Sequence, residues 1–130
     1  MIVVDASALI ELLLRTASAQ AVRQKLMGSG GSLHAPHLVD IEVMQVLRRY
    51  ALAGEIDPER GKEALADLFA FPISRHTHEA LLSRVWELRN NLTAYDAVYL
   101  ALAEALDAPL LTHDQRLATV ARRHSQVRIL

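Results

Sequence analysis

Asp5, Glu42, Asp96 and Asp114 are the residues of this 130-residue chain whose type and placement could do chemistry together. Asp5 directly follows the apolar run Ile2-Val3-Val4, and Asp114 stands two residues beyond Thr112, which ends the run Leu110-Leu111. Asp96 opens an almost wholly apolar stretch, Ala97 to Leu106, whose only other charge is Glu104. Glu42 falls within the first two turns of a helical pattern that starts near His37. Carboxylates gathered within a few ångströms repel one another, so some stay protonated unless a cation neutralises them. With no cysteine in the chain, hard oxygen donors select magnesium or manganese over zinc. Magnesium keeps waters and phosphate oxygens in its shell, and such a site suits phosphodiester hydrolysis.

Each acid also has a plainer role open to it. Thr93-Ala94-Tyr95-Asp96 fits a capping box, and Asp5 and Asp114 are placed to cap the helices that follow them. Glu42 could be a solvated carboxylate on a helix rim. Asp40 lies two residues before Glu42, which on a helix sends the two side chains about 200° apart, so only one can enter a shared site; Glu42 is the choice. Among six His residues, His34 and His37 flank Pro36 and His76 precedes His78 by two, but no third ligand for zinc is evident. His113, next to Asp114, is a further polar candidate, as are Arg48, Arg49, Arg89, Asn90, Asn91 and Arg116 for phosphate contacts. Leu12, Leu13, Leu14, Tyr50 and Leu52 exceed the evident needs of one small core and are candidates for partner surfaces.

The elements that must position these groups follow from hydrophobic period. Ile2 to Val4 is too short for a helix and reads as a fully buried strand. Helical patterns cover Ser7–Leu14 and Ser18–Met27 and are broken by Gly28-Ser29-Gly30-Gly31. Leu33–Ala35 reads as a second strand, His37–Ala53 as a long helix ended by Gly54, and Pro58–Ala70 as a helix with proline in its first turn. Phe71–Ser74 is a third strand, Thr77–Arg89 a helix, Tyr95–Leu106 a buried helix, and Leu110–Thr112 a fourth strand. Asp114–Arg123 is a last helix and Val127–Ile129 a fifth strand. Strands alternating with helices predict a three-layer α/β/α fold around a parallel sheet of about five strands. In such a sheet, ligands bind beyond the carboxyl ends of the strands, which is where the acids fall.

At 130 residues the expectation is one domain spanning 1–130, with neither repeats nor linkers. Hydrophobic residues make up 52% and aromatics 5%, which favours a Leu/Ala/Val core rich in helix. The absence of cysteine is consistent with a reducing cytoplasm and removes thiolate chemistry. The start, Met1-Ile2-Val3-Val4-Asp5, lacks the basic and long apolar regions of a secretion signal, and no apolar run reaches a membrane-spanning length. The formal net charge is −1; with the four candidate acids set aside, the remainder carries +3. Lys25 and Lys62 are the only lysines among 14 basic residues. An Arg-rich surface matches phosphate oxygens bidentately and permits an anionic polymer as substrate.

Rival chemistries fail on specific residues. A haloacid-dehalogenase phosphatase needs a second Asp two residues after the first, where this chain has Ser7. A phosphate-receiver domain needs a Lys at a strand end, and neither lysine is there. The glycines at 28–31 form no nucleotide-binding loop.

The segments Ile2-Val-Val-Asp-Ala-Ser-Ala8, Pro36 to Leu47 around Glu42, Leu92-Thr-Ala-Tyr-Asp-Ala-Val-Tyr-Leu-Ala-Leu-Ala103 and Pro109-Leu-Leu-Thr-His-Asp-Gln-Arg-Leu117 together resemble PIN-domain nucleases, in particular the VapC-type toxins of bacterial toxin–antitoxin pairs. The resemblance spans essentially the whole chain, and Tyr95-Asp96-Ala97 to Ala103 is its most specific part. It implies a metal-dependent endoribonuclease with the metal-binding acids at Asp5, Glu42, Asp96 and Asp114, the four already reached from spacing. Ser7 and Thr112 match hydroxyl residues expected to orient a carboxylate or water beside them. Mg2+ or Mn2+ as cofactor, an RNA substrate, a cognate antitoxin and a homodimer are implied in the same way. A catalytically idle PIN-fold binding module and a DNA-directed nuclease of the same fold are the alternatives.

Overall fold

A computed structural model describes residues 1–130. Four parallel strands, β1 (Ile2–Val4), β2 (Leu33–Pro36), β3 (Ile73–His76) and β4 (Leu110–Leu111), form one sheet in the order β3-β2-β1-β4. The chain thus steps outward from β1 through β2 to β3, then returns to lay β4 on the other side of β1. The point of reversal lies between β1 and β4. All three residues of β1 are fully buried, as a strand hydrogen-bonded on both edges and covered on both faces must be.

Seven helices flank the sheet: α1 (Ala6–Leu13), α2 (Ala19–Gly28), α3 (Leu38–Leu52), α4 (Pro58–Ala70), α5 (Leu82–Glu87), α6 (Ala94–Leu106) and α7 (Gln115–His124). α1 to α4 pack on one another, whereas α5 and α6 pair as a hairpin and α6 lies against β1, β2 and β4. That separation into two helical layers with the sheet between them is what right-handed crossovers produce from this strand order.

Several boundaries have a local cause. α3 stops where Gly54, at φ +73°, takes the left-handed conformation and the Glu55 N–H returns to the Tyr50 carbonyl. Asp57 caps α4 through the Glu59 N–H, with Pro58 at the first helical position. Gly31 passes so close to Met1 that a Cβ there would stand 2.5 Å from the Met1 nitrogen, so only glycine fits.

The sequence expectation of about five strands is corrected to four. Val127–Ile129 makes only a single parallel bridge, Leu110 with Ile129, supported by the Leu110 N–H to the Arg128 carbonyl and the Leu130 N–H to the Leu110 carbonyl. β4 is two residues long, so it leaves nothing more for a fifth strand to pair with. The third strand begins two residues later than expected because Phe71 and Pro72 form a tight turn in which the Ile73 N–H bonds the Phe71 carbonyl. The helix expected over Thr77–Arg89 is a 3-10 turn at Glu79–Leu81 followed by the short α5. Leu12 and Leu13 are core residues, while Leu52 is exposed.

Candidate active site

The site forms at the reversal between β1 and β4, on the carboxyl side of the sheet. In the parallel register Val4 pairs with Leu111, and the Asp5 N–H reaches the Leu111 carbonyl at 3.1 Å, which brings Asp5 against Thr112. Asp5 is only 5% exposed. Its Oδ1 accepts the Ser7 hydroxyl (2.7 Å) and the Ala8 N–H (3.1 Å), so it does cap α1, and its Oδ2 accepts the Thr112 hydroxyl (2.6 Å). Ser7 Oγ and Thr112 Oγ1 in turn accept the His113 and Asp114 N–H groups at 2.9 Å each. The two hydroxyls therefore tie the end of β1 to the loop after β4.

Asp114 caps α7 by accepting the Arg116 and Leu117 N–H groups on Oδ1 (2.9 and 3.1 Å). Asp96 sits in the first turn of α6, whose N-cap is Thr93: the Asp96 N–H donates to the Thr93 hydroxyl at 3.2 Å. Glu42, half-buried in the second turn of α3, accepts the phenolic hydrogen of Tyr99 on Oε1 at 2.5 Å. Tyr99 lies one turn after Asp96 in α6 and is buried, and burial together with the Glu42 charge pushes its pKa up, so the phenol remains a donor.

Mutual electrostatics show that the four acids share one neighbourhood. Burial raises the Asp5 pKa, the hydrogen bonds from Ser7, Thr112 and Ala8 oppose it, and the charge of Asp114 adds to it. Burial likewise raises Glu42, with the Tyr99 bond opposing and Asp96 and Asp5 reinforcing. Asp96 is raised by burial and then by Asp114, and is partly relieved by Thr93 and by the Arg116 guanidinium. Three carboxylates held above their ordinary range at one end of a sheet form a site that a cation would relieve.

The residues present fit a hard divalent ion. Oε2 of Glu42 and Oδ2 of Asp114 accept no protein hydrogen bond, only the Thr93 hydroxyl lies against the Asp96 carboxylate, and none of these oxygens is sealed from solvent. No three side chains are drawn in tightly enough to make a closed metal centre by themselves.

The sequence-chosen residues thus share one end of the sheet: Asp5, Glu42, Asp96 and Asp114 as carboxylates within reach of one another's charge, with Ser7 and Thr112 as the hydroxyl partners of Asp5. Asp40 is elsewhere, in a two-pronged pair with Arg75 (2.8 and 2.9 Å). His78 Nε2 accepts the Leu38 N–H, and His34 pairs with His76 at 2.8 Å, so these imidazoles bind protein partners outside the acid cluster. Sequence reasoning missed Tyr99. Its signal was a phenol inside an otherwise apolar buried helix, where a hydroxyl must find a partner.

The PIN domain family model matches residues 2–123. The chain is 40% identical to Ribonuclease VapC1 of Mycobacterium tuberculosis over 98% of its own length and 96% of that protein. Among solved structures it resembles PAE2754 from Pyrobaculum aerophilum, with a TM-score of 0.71 and 27% identity over 98% of this chain and 81% of that one. It also shares its fold with VapBC2 from Rickettsia felis, crystallised with a DNA fragment from their promoter (TM-score 0.69, 13% identity, 100% and 98% covered).

Proposed function

The chain belongs to the PIN-domain family, and from that membership we infer that it is an endoribonuclease of the VapC type, the toxin of a toxin–antitoxin pair. It hydrolyses RNA phosphodiester bonds. We propose further that Asp5, Glu42, Asp96 and Asp114 are its catalytic, metal-holding carboxylates. The observation that carries the assignment is their meeting at the strand-order reversal, where three of them are held above the ordinary carboxylate range.

Mg2+ or Mn2+ bound by these four acids would supply the positive charge that relieves their repulsion and stabilises negative charge building on the phosphate. The chain's own contribution is pre-organisation. Ser7 and Thr112 fix both oxygens of Asp5, Tyr99 fixes one oxygen of Glu42, and the Thr93 cap fixes the turn that carries Asp96. Such supporting hydrogen bonds set how far each carboxylate can swing and where its free lone pairs point. Arg116, whose charge reaches Asp96 from the first turn of α7, is placed to meet a phosphate oxygen at the mouth.

The partners follow the same reading: an RNA substrate, a cognate antitoxin that silences the site, and a second copy of this chain. The exposed apolar residues Ile41, Met44 and Leu52 on α3 are candidates for protein contacts. No helix is long and apolar enough to cross a membrane, and the cytoplasm, where the RNA is, is the proposed location.

The test is to incubate purified protein with a mixed RNA pool and Mg2+ or Mn2+, beside a chelator control and Asp96→Asn. Cleavage should need both the metal and Asp96. Cleavage that survives both controls would overturn the metal–carboxylate assignment.

A further inference from the structure

This chain has few aromatic residues, yet two of them are spent on the surface at one place. Trp86, its only tryptophan, is 68% exposed on α5, and Tyr95 is 62% exposed in the first turn of α6, one residue before Asp96. α5 and α6 pack as a hairpin, so the end of α5 and the start of α6 lie at the same end of it. That end also carries Asp96.

Both rings are mounted on fixed backbone. The Tyr95 turn is pinned by the Thr93 cap, and the phenol of Tyr95 has no hydrogen-bond partner in the protein. Arg89 lies over the indole of Trp86 with its guanidinium carbon 4.6 Å from the ring centre, locked there by Nη1 donating to the Trp86 carbonyl at 2.9 Å. The turn between them closes through the Asn91 and Leu92 N–H groups on the Leu88 carbonyl and presents Arg89 and Asn90 to solvent. Flat, solvent-facing rings, one of them with a cation over it, are what unpaired bases stack on, and single-stranded RNA is bound largely by such stacking. The cations at hand for its phosphates are Arg89 and, across the mouth, Arg116.

We propose that the end of the α5–α6 hairpin is a base-stacking platform, on which Tyr95 and the Arg89-covered Trp86 receive bases of single-stranded RNA whose backbone enters the carboxylate site. The proposal rests on the ribonuclease reading above and deepens it by naming the side chains of this chain that hold the bases of the strand. A duplex would keep its bases turned away from both rings.

The single tryptophan makes the test direct. Short single-stranded RNA is titrated into the Asp96→Asn protein, which keeps the strand intact, and Trp86 fluorescence is followed. Quenching is expected with single strands and not with a duplex of the same sequence. Tyr95→Ala should weaken binding by about 5- to 150-fold, the range for losing one stacked base, while Tyr95→Trp should restore it. In the cleaving protein Tyr95→Ala should raise KM far more than it lowers kcat. Melting temperature and mass in solution are measured alongside. Unquenched Trp86 on saturation, equal RNA affinity of Tyr95→Ala and wild type, or a change of oligomeric state that accounts for the loss would overturn the platform. Failure of the wild type to cleave any RNA would instead strike the ribonuclease reading, with the fluorescence titration still deciding whether the rings bind bases.

Discussion

Thr112 donates its hydroxyl hydrogen to Asp5 at 2.6 Å, joining the ends of two neighbouring strands, and its oxygen also accepts the Asp114 N–H at 2.9 Å. One side chain thus sets the spacing of two candidate metal ligands. Thr112→Val keeps the volume and removes both bonds, which strands a buried carboxylate oxygen. The expected result is a roughly 10- to 100-fold loss of cleavage, the usual cost of losing support behind a ligand, with roughly 1–3 kcal/mol lost in chemical denaturation. Thr112→Ser should recover most of both. Wild-type cleavage by Thr112→Val would show that the hydroxyl serves the fold alone.

Tyr99→Phe removes the only protein donor to Glu42 and leaves the core volume unchanged. A bond to a charged acceptor is worth about 1.5–3 kcal/mol in a buried setting, but losing it also frees Glu42 to turn toward solvent, so the stability cost should fall near or below the lower end. Activity should suffer more than stability, because the carboxylate loses its fixed orientation. Measured at saturating metal, kcat should drop about tenfold or more, and added metal should not restore it.

The chelated protein should weaken as pH rises, and the sign follows from the direction of the shifts. Asp5, Glu42 and Asp96 have folded pKa values raised above their ordinary values of 3.8, 4.5 and 3.8. The folded state therefore holds these protons more tightly than the unfolded state. The stability this gives is present below the ordinary carboxylate range and is lost as pH climbs through the raised folded values. Glu104 runs the other way: burial pushes it up, but the hydrogen bonds from Arg84 and Ser125 and the Arg84 charge together outweigh that and lower it, so its contribution is lost as pH falls. The difference in melting temperature between Asp96→Asn and wild type isolates one site acid from that background. It should be near zero at pH 4 and favour the variant by a few degrees at pH 7 without metal, with Mg2+ reversing the order. An Asp96→Asn protein that melts lower than wild type at pH 7 in chelator would mean that the carboxylate is structural.

Much of this was legible in the residues. β1 could be read because three β-branched residues bounded by Asp5 suit only a strand buried on both faces, and α6 because seven consecutive buried positions, Ala97 to Ala103, leave no polar stripe. The clustering of the acids followed from Asp5 and Asp114 at strand ends and from Asp96 and Glu42 in the early turns of their helices. What was hidden depends on pairings distant in sequence. The Ser7 and Thr112 hydroxyls stand 105 positions apart, and Glu42 meets Tyr99 across 57. Asp5 and Asp96 looked equivalent as site acids, yet Asp5 takes three hydrogen bonds while only Thr93 supports the Asp96 carboxylate. Asn at Asp5 would turn an amide toward the Thr112 oxygen, so the two substitutions should not behave alike. The short α5 escaped notice because helical spacing continues across His78 and Leu81, where the backbone tightens into a 3-10 turn.

Asp40 and Glu42 offer the sharpest separation of site from scaffold, since they sit two residues apart on α3 with opposite duties. Asp40 grips Arg75 of β3 through two bonds, tying the start of α3 to the strand beyond β2, and both partners are only partly shielded (side chains 28% exposed for Asp40 and 20% for Arg75). An ion pair with that much solvent access stabilises by about 1 kcal/mol or less, more only because the geometry is two-pronged. Asp40→Asn should therefore lower stability by about that amount, more weakly in high salt, and leave kcat and metal dependence at wild-type values. Glu42→Gln should do the reverse: the amide oxygen can still accept from Tyr99, so the fold should hold, but a ligand charge facing Asp5 and Asp96 is gone and cleavage should fall by about 100-fold or more. Denaturant midpoints and single-turnover rates on the same preparations separate the two. If Asp40→Asn were the variant that lost cleavage, the acid cluster would have to be redrawn around the other face of α3.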